Sequence, residues 1–276
     1  MILYYSAVPL SEEEPAWFRL TGKLSVLFSY PIVKKKPELL DLPWFDKVFL
    51  DSGAFTVWTK GNTIDIHEYI DFLIMNKNRC ATYAALDVIG SAMGSLQNYK
   101  IMKKAGLDPL PCLHIGEEEK VLNFYCEEAG HVGLGGVAKT KHTKRVKWYD
   151  SVFRDRTDIK FHGFAVVHMK LLRRYPWHSV DGTFAATAAR RGGIITPFGH
   201  YSIIKGSPYE RLYHTASPGV KKNILDHVES YGFDMKRLCL PKESIYRFAF
   251  NAKCLQAFIK TLSEKTYKNP IGGFNL

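Results

Sequence analysis

Residues 109–136 read PLPCLHIGEEEKVLNFYCEEAGHVGLGG. A short apolar run, 109–115, is followed by a helical pattern over 117–129. Gly130 stands where a helix C-terminal cap belongs, and a second apolar run follows at 131–135. This is a strand–helix–strand unit, and a connection of that length joins parallel strands.

The alternation extends in both directions. Further strands are expected at 2–8, 24–30, 47–51, 82–88, 160–167 and 177–181, which makes eight in all. Helices are expected at 66–74, 95–105, 143–155 and 168–174. In the first of these, Ile66, Tyr69, Ile70, Leu73 and Ile74 recur on one helical face. Gly106 follows the second, again in the place of a cap. Eight strands alternating with helices predict an α/β fold, a compact (β/α)8 TIM barrel over residues 1–193. An open doubly wound sheet is the alternative. After Gly193 the repeat ends. Residues 218–231 and 242–264 read as helices, the second with a stripe of Ile245, Phe248, Ala249, Ala252, Leu255, Ile259 and Leu262. Residues 194–276 are therefore expected to form a basic helical C-terminal appendage packed on the barrel.

Composition narrows the class. The 276 residues are 46% hydrophobic and 13% aromatic, which excludes a disordered chain or a fibre. No apolar run approaches the roughly 18 residues of a membrane span, so no membrane association is expected. The opening MILYYSAVPLSEEEP lacks the basic start of a signal peptide. The five cysteines, Cys80, Cys112, Cys126, Cys239 and Cys254, lie far apart and odd in number, as reduced thiols of a cytoplasmic protein would. No C-x-x-C or Cys/His cluster has zinc spacing, so no metal and no cofactor are expected.

The net charge of +11 is unevenly spread. Residues 1–138 carry −4, 139–174 carry +8, 175–189 carry −1 and 190–276 carry +8. Two basic stretches on a slightly acidic front suggest a polyanionic partner, nucleic acid above all. Lysine-rich solvated helix faces would give the same count.

In a (β/α)8 barrel the chemistry sits at the C-terminal ends of the strands. There the sequence offers Asp51 at the end of strand three, Asp87 near the end of strand four, His114 at the end of strand five and Asp181 at the end of strand eight. Strand six runs into Gly135 and Gly136, and strand seven carries His162. Each Asp alone is also a favoured helix cap. Three carboxylates on one rim need a further reason, because buried carboxylates are costly without partners. Paired carboxylates facing a sugar carbon are the usual means of breaking a glycosidic bond. A third carboxylate can accept the N–H edge of a base, a Gly-Gly backbone can approach a flat heterocycle, and Phe55 can stack on it.

Four motifs in order carry a resemblance. Asp51-Ser52-Gly53-Ala54-Phe55 resembles the D-S-G-G-[FY] motif of the tRNA-guanine transglycosylase family. Leu134-Gly135-Gly136-Val137-Ala138 resembles its G-G-L-A segment. His162-Gly163-Phe164 falls where that family has a short strand beside the base pocket. Val180-Asp181-Gly182-Thr183, followed by Arg190-Arg191-Gly192, resembles its nucleophile strand and downstream arginines. The resemblance spans roughly residues 45–200. It implies a (β/α)8 barrel that exchanges guanine for a 7-deazaguanine of the preQ0/preQ1 type, the co-substrate. Carried over, Asp181 is the nucleophile on C1′ and Asp51 the acid/base group. Asp87 reads the guanine N1/N2 edge, Gly135 and Gly136 contact O6, and Phe55 stacks. His114 stands where the family has a base-reading Gln, and His162 lies next to the pocket.

Two departures steer the choice of polymer. The family's zinc motif, C-x-C-x2-C with a later His, is absent, and the chain is shorter than the tRNA enzymes. Both resemble the phage branch of the superfamily, the DpdA-like DNA-guanine transglycosylases, whose location would be the host cytoplasm. DNA is thus the expected partner and tRNA the alternative. Lys139, Lys141, Lys144, Arg145 and Lys147 after strand six, and Arg190 and Arg191 after strand eight, are the expected phosphate contacts. A non-catalytic nucleic-acid-binding barrel and a barrel enzyme acting on a small phosphorylated sugar remain as other classes. Gly133 to Thr140 is one residue from a P-loop, with Ala138 in place of the second glycine.

Overall fold

The structure is a computed structural model that describes residues 1–11, 13–137, 140–204 and 211–268. Its described residues form two compact units, one of residues 1–4 and 25–182, the other of residues 5–24 and 183–268.

All eight expected strands are present: β1 (Ile2–Ser6), β2 (Leu24–Ser29), β3 (Phe45–Asp51), β4 (Thr82–Tyr83), β5 (Cys112–His114), β6 (His131–Gly135), β7 (Lys160–Gly163) and β8 (Ser179–Gly182). They form one curled sheet in the order β4-β3-β2-β1-β8-β7-β6-β5. The pairs β3–β4, β5–β6, β6–β7 and β7–β8 are parallel. This is the neighbour order of a ring opened between β4 and β5. Across that opening lies a single parallel bridge, Ala84 to Leu110. There Leu110 N donates to Tyr83 O at 2.8 Å and Ala85 N donates to Leu110 O at 2.8 Å.

Helices cover the intervals. Ile66–Asn76, Ala92–Lys104, Glu119–Ala129, His142–Phe153 and Met169–Arg174 occupy the expected places. Asp65 caps the first by accepting from His67 N and Glu68 N. Gly130 ends the third with φ of +60°, the left-handed cap read from sequence. The sheet interior is apolar: Tyr4, Phe49, Ala84 and Leu110 pack together, with Leu27 and Phe164 against them. Burying each large side chain of this kind contributes roughly 1.5–3 kcal/mol.

Three strands, β1, β4 and β7, stop two or more residues earlier than expected, each for a local reason. The segment after Tyr83 leaves the ladder because helix side chains take over its backbone: Asn98 Nδ2 donates to Leu86 O at 3.0 Å, and Ser95 Oγ accepts from Val88 N at 2.9 Å. Asp87 therefore sits in a loop beyond a two-residue strand. Strand β7 ends at Gly163 because Ala165 turns the chain with φ of +56°, and Ala7, with φ of +58°, does the same after β1. Two expected core residues, Ile74 and Ile245, are exposed.

The second unit holds the helices Phe184–Arg190, Pro218–Ser230, Met235–Leu238 and Ser244–Lys268. The expectation of a purely helical segment after Gly193 is corrected by an antiparallel hairpin, β9 (Gly193–Thr196) and β10 (Gly199–Ser202), paired Thr196 to Gly199. The long helix Ser244–Lys268 buries Phe248, Ala249, Ala252, Leu255 and Ile259 of the expected stripe. Its Asn251 accepts from Ile195 N and donates to Ala185 O and Gly193 O, which ties the hairpin and the preceding helix to one point.

Candidate active site

A cavity of about 610 Å³ opens at the C-terminal ends of the strands in the first unit. Asp51, Asp87, His114 and Asp181 line it, with Gly135, Gly136 and Phe55. Seven of the eight base- and sugar-binding candidates are thus brought together. The lining contains no lysine or arginine among the described residues.

Asp181 projects from β8 and is buried. Its Oδ1 accepts the Ala165 N–H at 2.9 Å, a bond that crosses to the turn after β7. That explains why Ala165 holds a left-handed φ, a conformation costing a non-glycine residue roughly 1–2 kcal/mol. Asp181 does not cap its own helix: Thr183 is the N-cap of Phe184–Arg190 and makes no side-chain cap bond. The position tolerates no bulk beside it, since a Cβ on Gly182 would lie 2.1 Å from Val167 Cγ1.

His162, expected beside the pocket, is corrected to a wholly buried position beneath it. Its ring packs on Phe49 and Phe164 at centroid distances of 4.7 and 4.5 Å, and it is not part of the lining. Burial lowers its basicity, only partly offset by Asp181. Nδ1 lies 2.9 Å from Ser179 Oγ, and Nε2 faces Asp181 Oδ1 at 3.5 Å. With the Ser179 hydroxyl donating to Nδ1, the neutral ring carries its proton on Nε2, directed at Asp181. His162 is a positioning residue for that carboxylate.

Asp51 ends β3, and its Oδ2 accepts the Gly53 N–H at 3.0 Å. Gly53 takes φ of +75° with Pro31 Cδ only 2.6 Å from where a Cβ would stand, so this turn requires glycine. Burial, then the charges of Asp87 and Asp181, push the Asp51 carboxyl up to about 7, and the Gly53 and Ser52 N–H groups offset part of that. Asp51 can therefore hold or release a proton near neutral pH, the property of a general acid/base.

Also in the lining, His114 Nε2 lies 3.4 Å from Asp87 Oδ2 and Nδ1 lies 3.3 Å from Glu117 Oε1. Glu117 Oε2 also accepts the His114 backbone N–H at 2.8 Å. Burial disfavours the His114 cation, but Cys112 and the carboxylates of Asp87 and Glu117 outweigh it and raise the ring's basicity. Burial pushes the Cys112 thiol up to about 12. Asp87 Oδ1 is buried without a hydrogen-bond partner. Gly135 and Gly136 are small for a reason seen here: a Cβ on Gly135 would meet Cys112 Sγ at 2.9 Å, and one on Gly136 would meet His114 Cβ at 2.8 Å.

Sequence reading missed Cys112, Glu117 and Trp58 as lining residues. Cys112 and His114 alternate along β5 and so share a face, a period-two signal that was available. Trp58 stands one helical turn from Phe55 on Ala54–Trp58; the rings lie 6.1 Å apart and both are about half exposed, 52% and 53%. They form an aromatic flank suited to a flat ligand.

The cations fall into separate groups. Lys141, Lys144 and Lys147 are exposed at the start of or on His142–Phe153, and Arg145 Nε donates to Thr140 O at 2.8 Å. Lys139 and Ala138 lie outside the described residues. Arg190 and Arg191 are exposed at the end of a helix in the second unit. All five cysteines are free. No helix among the described residues is long and apolar enough to cross a membrane.

Comparison with protein-family models gives no match, and comparison with curated proteins gives none either.

Proposed function

We propose that the protein is a compact (β/α)8 guanine transglycosylase that replaces guanine in DNA with a 7-deazaguanine. The observation that carries the reading is the pair Asp51 and Asp181. They stand at the ends of β3 and β8, line one cavity, and Asp51 is tuned to about 7. The bridge between Ala84 and Leu110 supports closure of the sheet into a barrel. The D-S-G-A-F, L-G-G-V-A and V-D-G-T segments resemble the family's motifs, and the described residues of each lie at a strand end lining or adjoining that cavity.

The reaction is a double displacement. An Asp181 oxygen attacks C1′, the C1′–N9 bond breaks, and the leaving guanine takes a proton from Asp51. The incoming 7-deazaguanine gives a proton to Asp51, and its N9 attacks C1′ and displaces the Asp181 carboxylate. The wall of Asp87, His114, Gly135 and Gly136 holds the base, and Phe55 with Trp58 stacks on it. Lifting a guanine from duplex DNA costs a few kcal/mol. Phosphate contacts from Lys141, Lys144, Arg145 and Lys147 offset part of this. Lys139, Arg190 and Arg191 are further candidates.

The test incubates the protein with labelled guanine and either DNA or tRNA. Label is expected in DNA. Label in tRNA alone would reassign the polymer, and label in neither would overturn the reading.

A further inference from the structure

We infer that Asp87, Cys112 and His114 form a binding site for a divalent transition-metal ion of the zinc class. A carboxylate oxygen, the Cys112 sulfur and a His114 nitrogen all lie within 4.8 Å of one another. Around a tetrahedral zinc ion, with bonds of roughly 2.0–2.3 Å, neighbouring ligand atoms stand about 3.5 Å apart. The 3.4 Å between His114 Nε2 and Asp87 Oδ2 matches that edge. A thiolate, an imidazole and a carboxylate together select zinc over magnesium or calcium, which take oxygen alone.

Three independent features suit an ion better than a bare polar cluster. Glu117 contacts Nδ1 of His114 at 3.3 Å and accepts its backbone N–H at 2.8 Å, so the ring is fixed with Nε2 toward the other two donors. A carboxylate behind a histidine in this way is the usual support of a metal-bound imidazole. Asp87 Oδ1 is buried without a hydrogen-bond partner, an unsatisfied acceptor that an ion or its bound water would engage. Gly135 leaves the room: a Cβ there would press on Cys112 Sγ at 2.9 Å and His114 Cδ2 at 3.1 Å.

All three donors line the cavity, so an ion held by them keeps a coordination position open toward it. Three protein ligands with an open position mark a site that engages water or substrate rather than a structural one. The existence of this site does not depend on the transglycosylase reading. Its occupant does: under that reading, the open position takes a carbonyl oxygen or ring nitrogen of the base.

The experiment uses the full chain, purified without chelator or metal-affinity tag and equilibrated with zinc, then separately with cobalt. Metal content is read by mass spectrometry, and thiolate ligation by the cobalt charge-transfer band. One equivalent of zinc and a thiolate band are expected in the wild type and in Cys80→Ser. Cys112→Ser should lose the band, His114→Ala should lose the ion, and Glu117→Gln should weaken affinity by roughly 10- to 100-fold. Asp181→Ala should keep the full equivalent, which separates failure of this site from failure of the transglycosylase reading. Substoichiometric zinc in the wild type, or no cobalt thiolate band, would overturn the proposal, as would a band that survives Cys112→Ser. Wild-type metal content and spectrum decide the matter even if a variant fails to fold. A proton shared by His114 between Asp87 and Glu117 is what those negative results would leave.

Discussion

The two units treat buried polar groups in opposite ways. In the second, Arg247 is wholly buried and donates to four carbonyls, those of Ala189, Leu238, Leu240 and Pro241. Asn251, one turn on, has its oxygen and its amide both engaged. In the first, four carboxylates, Asp51, Asp87, Glu117 and Asp181, share one cavity whose only basic side chain among the described residues is His114. Asp87 Oδ1 lacks a hydrogen-bond partner there, and Asp51 is pushed up to about 7. Saturated polar groups hold a fold together; crowded, under-satisfied ones are costly and mark where chemistry is done. The comparison also corrects the meaning of the charge. Part of the +8 in residues 190–276 is a buried strut and is not available to phosphates.

Substitutions can break or sharpen that contrast. The largest effect is expected from Asp181→Ala, which should lower the exchange rate by roughly 10³-fold or more. Its stability should fall by no more than roughly 1–3 kcal/mol, the cost of leaving the Ala165 N–H without its acceptor. A retained rate would remove Asp181 from the mechanism.

Arg247→Met should do the reverse. It leaves buried carbonyls without donors and should cost roughly 3–5 kcal/mol in urea unfolding. A loss below about 1 kcal/mol would mean that water or rearrangement satisfies them.

Asp51→Asn tests both halves of the contrast in one variant. Exchange should fall by roughly 10²–10⁴-fold, the range of general acid–base contributions. Stability should move the other way. With a folded-state value near 7 against an ordinary 3.8, Asp51 favours folding fully below about 4 and progressively less as pH rises to 7. Above pH 7 the charged carboxylate is a burden, and Asn should stabilise by roughly 1–2 kcal/mol at pH 8 and much less at pH 4. In the wild type, the guanine-release step should weaken as pH rises through about 7, because its acid has lost the proton. A stability gain that is the same at both pH values would contradict the raised carboxyl.

The smallest effect on folding belongs to the exposed lysines. Lys144→Gln with Lys147→Gln should change stability by less than about 0.5 kcal/mol. The slope of log affinity for DNA against log salt should shrink by roughly 0.9 per lost contact. An unchanged slope would take that helix out of the binding surface.

Most of the fold was legible because short β-branched or aromatic runs alternate with helical patterns, and some of those helices carry a cap signal. Gly130 and Asp65 are examples. The hairpin Gly193–Ser202 was not, since two four-residue strands about a Pro-Phe turn are too short to show a period. Asp51, Asp181, His114 and Gly135 were found because each ends a strand. Cys112 was read only as one of five reduced thiols, and Glu117 was lost in an acidic run at a helix start. Their meaning depends on Asp87, 25 residues before Cys112 and in a loop that lies beyond a two-residue strand. His162 was misplaced because strand register, not sequence, decides whether a residue reaches the rim or the interior.

The most direct test of the account is trapping of the sugar intermediate. Wild-type protein is mixed with guanine-containing DNA, quenched in denaturant without an incoming base, and run on a denaturing gel, beside Asp181→Asn. A protein–DNA adduct that forms with the wild type, is absent from the variant and is discharged by added 7-deazaguanine is the predicted result. An adduct of equal yield in Asp181→Asn, or none in an exchange-competent wild type under any quench, would contradict it.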